Sequence, residues 1–449
     1  MQVDINLLPR QAEILYDPHR FKVMVCGRRF GKTEYCSIEH LFIALTGAPR
    51  RVQWMIAPTF TISKIMWRKL KSIIRQYNLG EYVTDIKEGE LYIEFVNGTT
   101  IWCKSADKPE NLVGEGLAHV SLDEYGVMKP DVWYESIRPA LLDTGGSATF
   151  IGTPKGKNHF YDVYKAEGEN WTSFRYSSYE NPLIDPDELE EIVKDMPEFL
   201  YRQEILAEFL DEGGEVFRTY KSQITNLQPI SNEGDLIIYG IDLGKINDFT
   251  VIVGYDSITR RPVSYERFNK IDWEYQISKI IEHVSKTPNH IVFIDSSGVG
   301  EPLYDYLKKS SLTVRAVTIS SGKNVNMKID GGVKYTVPKH ILIQRLAVAL
   351  ETQNIYLPDD KYVNNEFDQY EYSITQSGNV TYSAPPGKND DTVMAISLAN
   401  FGLSVGGTCI GGLVSDLEII DSSAKTNYDY EPICDYEEDV LEWDDFGNI

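Results

Sequence analysis

Residues Cys26 to Thr33 read CGRRFGKT and follow an apolar, β-branched run, Phe21 to Val25. From Thr33 to Thr46, apolar residues recur at helical spacing: Tyr35, Ile38, Leu41, Phe42 and Leu45. A strand, a loop ending in GKT and a helix are the setting in which backbone N–H groups and a helix N-terminus face phosphates. Gly31, Lys32 and Thr33 are therefore expected to bind nucleotide. Lys32 places positive charge on the β- and γ-phosphates, and Thr33 offers its hydroxyl to Mg²⁺. Cys26 stands where such loops usually carry their first glycine. Downstream, HVSLDEYG (His119 to Gly126) is a strand that ends in Asp123-Glu124. An aspartate there holds Mg²⁺, and a glutamate orients and deprotonates the attacking water. Two further runs, Arg51 to Ala57 and Ser147 to Ile151, end in the small polar turns Pro58-Thr59 and Gly152-Thr153-Pro154. Parallel sheets bind ligands at such carboxyl ends, which puts Thr153 among the nucleotide-binding candidates. Gln11, ahead of the first strand, either reaches the adenine or is an ordinary exposed residue.

A second acidic constellation lies in the other half. Leu236 to Ile241 (LIIYGI) runs into Asp242, and Gly244 and Asp248 follow. Strands at Thr250 to Tyr255 and Val263 to Phe268 complete a meander. After a helical stretch, Ile291 to Ile294 (IVFI) ends in Asp295. GKNDD, Gly387 to Asp391, then opens a helix from Thr392 to Leu403. Asp242 and Asp295 thus sit at strand ends, and Asp390 or Asp391 at a helix start. Hard oxygen donors of this kind suit Mg²⁺ or Mn²⁺, and two such ions activate water and stabilise the leaving oxygen of a phosphodiester. Any one of these aspartates is unremarkable in an α/β fold. Their combined order matches a ribonuclease-H-like nuclease site. Phe367 to Tyr382 carries two strand-like runs around Gln376-Ser377-Gly378, either a hairpin beside that site or a sheet extension.

The elements needed to hold these residues imply an α/β chain. It has an N-terminal phosphate-loop ATPase domain with a mainly parallel sheet (1–211), a linker (212–234), a ribonuclease-H-like domain (235–412) and an acidic tail (413–449). The 449 residues suit two or three domains, and 42% hydrophobic with 25% charged residues marks a globular chain. A net charge of −23 excludes a uniformly basic nucleic-acid coat. Charge is uneven: His19 to Arg75 holds twelve Lys/Arg and two acids, whereas Asp416 to the end holds twelve acids and one lysine. The tail reads as solvated, but its interspersed Tyr428, Tyr430, Tyr436, Leu441, Trp443 and Phe446 suit docking on a protein partner. No apolar run is long enough for a membrane span, and no basic-then-apolar leader opens the sequence. Five cysteines without a CxxC, and histidines without HExxH, argue against a disulfide framework or a zinc site. Trp54, Trp67, Trp102 and Trp133 are expected in the core.

With these motifs in hand, the chain resembles the large terminase subunits of tailed bacteriophages, from Leu8 to about Gly402. CGRRFGKT is similar to that family's arginine-bearing phosphate loop, which implies a nucleotide-sensing role for Arg28. Ser105-Ala106-Asp107, LVGEGL (Leu112 to Leu117) and Leu122-Asp123-Glu124 are similar to its approach to the acidic motif. FIGTPKG (Phe150 to Gly156) looks like its coupling motif, and YRQEILAEF (Tyr201 to Phe209) like the helix that closes the ATPase. Asp242, Asp248, Asp295 and the Asp390-Asp391 pair match its nuclease acids, with Asp390 expected as the direct ligand and Asp391 and Asp248 in support. Asn389 stands where many members have His, and Val113 where many have Arg. The resemblance implies a motor that uses ATP to drive double-stranded DNA through a portal into a procapsid and cuts concatemers with two Mg²⁺ or Mn²⁺ ions. It implies the portal protein, a small terminase subunit and DNA as partners, with no membrane. It implies a monomer in isolation, a ring on the portal, and a location in the host cytoplasm and transiently at the procapsid, not in the mature virion. A helicase-like repair ATPase with a fused nuclease is disfavoured by the single phosphate loop. A non-catalytic DNA-binding scaffold is disfavoured by the intact Lys32, Thr33, Asp123, Glu124, Asp242 and Asp295.

Overall fold

The computed structural model describes residues 5–211, 213–230, 234–244, 248–297, 300–322, 324–329, 332–375 and 380–405. The acidic tail, and with it Cys409 and Cys434, lies outside the described residues.

The first sheet has eight strands: β1 (Phe21–Cys26), β2 (Val52–Ala57), β3 (Val83–Lys87), β4 (Tyr92–Phe95), β5 (Thr100–Ser105), β6 (His119–Leu122), β7 (Ser147–Gly152) and β8 (Trp171–Tyr176). Their order is β3-β4-β5-β2-β6-β7-β1-β8. From β5 to β8 every neighbouring pair is parallel, while β3 and β4 add an antiparallel edge. The parallel strands are buried on both faces, which is why β1, β2 and β7 read as continuous apolar runs rather than alternating ones. Two apolar clusters flank the sheet. One packs the helices Lys32–Thr46 and Phe60–Gln76 on one face. The other gathers Trp54, Trp133, Phe150 and Phe160 on the opposite face. Trp54, Trp67 and Trp133 are buried as expected, and Trp102 is half-buried beneath Lys104, whose ammonium lies 5.0 Å from its ring.

Two short strands, β9 (Gly213–Glu215) and β10 (Ile224–Thr225), precede the second sheet. That sheet contains β11 (Ile237–Asp242), β12 (Thr250–Asp256), β13 (Pro262–Phe268), β14 (His290–Asp295), β15 (Val314–Ser320), β16 (Asn326–Ile329) and β17 (Val333–Pro338). The order is β13-β12-β11-β14-β15-β17-β16, antiparallel through the β11–β13 meander and parallel from β11 to β17. The helix Asp391–Val405 is buried almost all round and lies across β11. Its close seat requires Gly240: a Cβ there would stand 2.1 Å from the Ala395 carbonyl oxygen and 2.8 Å from the Ala399 Cβ. After β18 (Leu357–Pro358, paired with β10), β19 (Glu371–Ile374) and β20 (Val380–Ser383) form an antiparallel hairpin.

Three elements differ from the sequence reading. The stretch expected as a linker is packed: β9 joins the hairpin as its third strand, and Val216, Phe217 and Tyr220 are buried in the core of the second sheet. Glycines hid that strand, because strand propensity is read from side chains that Gly213 and Gly214 lack. The segment Tyr201 to Phe209 is not one helix. Its helical part is a π-helical turn, Tyr201–Ile205, which continues a short helix just before it, Glu198–Leu200, and Ala207 then takes a left-handed φ of 54°. Phe367 belongs to the helix Lys361–Gln369 rather than to the hairpin.

Candidate active sites

The phosphate loop runs from the end of β1 into the helix Lys32–Thr46. Gly31 has φ 90°, a backbone that L side chains rarely adopt, and it accepts a hydrogen bond from Gln11 Nε2 at 3.3 Å. Gln11 is thus buried against the loop rather than exposed. Lys32 Nζ donates to the carbonyls of Gly27 (3.1 Å) and Cys26 (3.4 Å) and to Thr153 Oγ1 (3.0 Å). The turn after β7 therefore meets the loop at its lysine. Thr33 Oγ1 donates to Asp123 Oδ2 at 3.2 Å, which joins the end of β6 to the start of the helix. Glu124 has a left-handed φ of 52°, and its Oε2 lies 3.5 Å from the Thr153 N–H. Burial, then the charge of Glu124, pushes the Asp123 carboxyl up to about 6, although Lys32 and the Thr33 hydroxyl pull it down. A buried carboxylate raised in this way beside a hydroxyl fits a divalent cation, which would offset the repulsion. Gln11, Gly31, Lys32, Thr33, Asp123, Glu124 and Thr153 are brought together at the carboxyl ends of β1, β6 and β7.

Arg28 is placed by a residue that the motifs did not single out. Its Nε donates to Glu204 Oε2 at 2.6 Å, and Lys155 Nζ reaches Glu204 Oε1 at 2.7 Å. Burial pushes the Glu204 carboxyl up, but Lys155 and Arg28 hold it down at about 2. Ser178 Oγ and Asn181 Nδ2 donate to the Arg28 and Arg29 carbonyls, each at 2.7 Å. These residues come from three separate segments, so no local spacing announced them.

In the second sheet, β11 and β14 run parallel and adjacent, which sets Asp242 beside Asp295 at their carboxyl ends. Burial, then Asp295, Asp391 and Asp390 in that order, pushes the Asp242 carboxyl well above the usual carboxylate range. Asp295 Oδ1 accepts from the Ser297 N–H at 2.8 Å. Asp391 accepts from the Phe249 N–H (3.3 Å) and from Asn389 Nδ2 (3.0 Å). Asp390 pairs instead with Lys339 Nζ at 2.9 Å. Asp248 is exposed at the rim and adds to the charge felt by Asp391. Two further residues complete the surroundings. Arg267 is held between the rings of Phe249 (3.8 Å) and Tyr362 (4.3 Å), and its guanidinium lies 2.8 Å from Glu366 and 3.7 Å from Asp391. Burial lifts the Glu366 carboxyl to about 7 even so. The donor chemistry, four carboxylates at strand and helix ends, fits a hard cation. Among the described residues no three acidic, His or Cys groups are already gathered as a cage for one.

Comparison with known proteins agrees with both halves. Residues 23–224 match a family model described as terminase large subunit, T4-like-virus type, N-terminal. The large terminase subunit of Thermus virus P23-45 is 27% identical over 430 residues, covering 84% of this chain and 84% of that protein. The chain is thus similar to large terminase subunits along most of its length. A further large terminase, from Escherichia phage T5, is 28% identical over 302 residues, covering 63% of this chain and 68% of that protein. The solved large terminase of a thermophilic bacteriophage shares the fold, with a TM-score of 0.51 at 15% identity over 89% of this chain and 99% of that one. Within this chain, the family-model match spans the first sheet from β1 onward and continues through β9.

Proposed function

We propose that this chain acts as a large terminase subunit, which hydrolyses ATP at the first sheet to translocate double-stranded DNA through a portal into a procapsid, and cuts concatemeric DNA at the second. The observation that carries the reading is the pairing of two sites in one chain. A Lys32–Thr33–Asp123–Glu124 phosphate site ends one sheet, and an Asp242–Asp295–Asp391 cluster ends the other. In the first site Lys32 and the loop N–H groups hold phosphates, and Asp123 and Thr33 hold Mg²⁺. Glu124 takes the proton from water. When bound, Mg²⁺ supplies charge that stabilises the transferred phosphoryl oxygens. In the second, Asp242, Asp295 and the Asp390-Asp391 pair hold Mg²⁺ or Mn²⁺, with Asp248 at the rim. DNA, the portal protein and a small terminase subunit are the partners this reading requires. ATPase and plasmid-cleavage assays of the purified chain in Mg²⁺ and Mn²⁺ test it. Absence of both activities in both metals would return the chain to a scaffold role.

A further inference from the structure

Arg267 stands on β13, and two rings and two acids surround it. Its guanidinium lies 3.8 Å from the Phe249 ring and 4.3 Å from the Tyr362 ring. It pairs with Glu366 Oε1 at 2.8 Å, and Glu366 stands one turn after Tyr362 on the helix Lys361–Gln369. Glu366 Oε2 in turn accepts from the Thr392 N–H at 2.8 Å, so the same carboxylate holds the start of the helix that carries Asp391. The Arg267 and Glu366 side chains are only 7% and 5% exposed, and Arg267 Nε has no hydrogen-bond partner among the described residues. An ion pair buried this deeply loses much of its attraction to the cost of desolvation, and an unpartnered donor adds to that cost. Stability alone therefore gives little reason to keep an arginine here.

The second acid is Asp391, and its contacts fall on one oxygen. Oδ2 accepts from Asn389 Nδ2 (3.0 Å) and from the Phe249 N–H (3.3 Å), and it lies 3.7 Å from the Arg267 guanidinium. Among the described residues no hydrogen bond reaches Oδ1. Phe249 acts twice, with its ring against Arg267 and its N–H on Asp391. A carboxylate tied down by one oxygen keeps the other for a cation, and groups behind a ligating carboxylate fix its orientation.

We infer that Arg267 is a positioning residue for the divalent cation of the second sheet: with the Phe249 amide it fixes Asp391 Oδ2, and Oδ1 is the ligating oxygen. This rests on the nuclease reading above. Glu366 offsets the charge of Arg267, so the pair orients Asp391 without adding net charge that would repel the ion.

The test uses the full chain carrying Asp123→Asn, which removes a metal ligand from the first sheet. Mn²⁺ affinity is read by electron paramagnetic resonance, without nucleotide or DNA. Arg267→Gln alone leaves Glu366 buried and unpaired, so the decisive variant combines Arg267→Gln with Glu366→Gln. It removes both charges and leaves the net charge unchanged. Its Mn²⁺ affinity is expected to fall about tenfold or more. An ion pair with a purely structural role predicts wild-type affinity once the double variant is folded, and that result would overturn the inference. So would tighter binding, which would make Arg267 a competitor of the metal. If the double variant does not fold, hydrogen exchange at Phe249 in the chain with native Arg267 and Glu366 decides. Because the ion takes Oδ1, the Phe249 amide should be equally protected with and without Mg²⁺. Faster exchange once Mg²⁺ binds would mean that Oδ2 is surrendered to the ion, and would overturn the inference as well. Mn²⁺ binding that is indifferent to Asp295→Ala would overturn the nuclease-site reading itself, a result distinct from an ion bound at that site that ignores Arg267.

Discussion

At the residue scale, the first site separates binding from turnover. Lys32 donates to backbone carbonyls and Thr153, so Lys32→Ala should weaken nucleotide affinity and rate together. Glu124→Gln retains shape and should keep binding while lowering turnover by about 10²–10⁴-fold. Equilibrium binding alongside steady-state hydrolysis distinguishes the two, and equal losses of affinity would contradict the roles. The raised carboxyls give a pH signature. With Asp123 at about 6 and Glu366 at about 7, the folded chain holds protons that the unfolded chain has released. Stability from these groups therefore falls as pH rises from about 4 to 7. Glu39 and Glu204, both held at about 2, act oppositely, and their contribution is lost as pH drops below about 4.5. Of these groups Mg²⁺ would relieve only Asp123, so it should raise the melting temperature more at pH 8 than at pH 5, by about 2–4 °C per kcal/mol recovered. Calorimetry with and without the ion checks this, and an equal shift at both pH values would argue against carboxylate ligation.

The same scale shows what the sequence made legible. GKT, the Asp-Glu pair and the strand-end aspartates were readable because local chemistry ties residue type to position. Glu204, Arg267 and Glu366 were not, because each acts through a partner far along the chain. Glu39 was countable only as an acid in a basic stretch. It is buried, accepts from Tyr35 at 2.9 Å, and stands 3.5 Å from Lys22 and 3.4 Å from His119. Both candidate ligands at the helix start are already engaged, Asp390 by Lys339 and Asp391 by Asn389 and the Phe249 N–H. Metal-dependent cleavage by Asp390→Asn and Asp391→Asn, compared with Asp295→Ala, ranks them. Asp295→Ala should nearly abolish cutting and leave ATP hydrolysis intact, and cutting at the wild-type rate would remove Asp295 from the site.

At the element scale, the nuclease acids depend on one close contact. Helix Asp391–Val405 sits on β11 only because Gly240 has no side chain at the approach. Gly240→Val should lift the helix, carry Asp391 away from Asp242 and destabilise the second sheet by about 1–3 kcal/mol as an overpacked core site. Cleavage should fall while ATP hydrolysis persists. Loss of both together would mean that the second sheet is needed to fold the first. The helix itself was legible from its apolar run, since nearly every residue in it is buried. The β3–β4 edge and β8 were not anticipated. They carry no site residues, and β3 mixes exposed and half-buried residues in a way that loops share.

At the scale of the whole molecule, the second half has its own sheet and core, but its boundary begins earlier than composition suggested. Phe217 packs on Phe367 with centroids 4.7 Å apart, and β9 completes the hairpin sheet. A fragment spanning 213–405 should therefore melt higher than one spanning 235–405, and should cut DNA with Mn²⁺ and no ATP. Matching melting curves for the two fragments would return 212–234 to a passive linker. Charge at this scale is also divided: the cationic stretch from His19 to Arg75 lies wholly within the first sheet and its helices, inside a chain of net charge −23.

The place of β1 in the first sheet bears on how the chain is made. The strand that carries the phosphate loop emerges early, yet its neighbours are β7 and β8. They follow about 120 to 150 residues later, roughly 6 to 30 seconds at ordinary rates of synthesis. During that interval an apolar strand buried on both faces in the finished sheet has no neighbour to pair with. β2 and β5 can form a nucleus first, with β6 added next, while Phe21 to Cys26 waits. The nucleotide site is therefore among the last features of its half to assemble, and nascent chains stalled before Ser147 would expose the segment most prone to mispair.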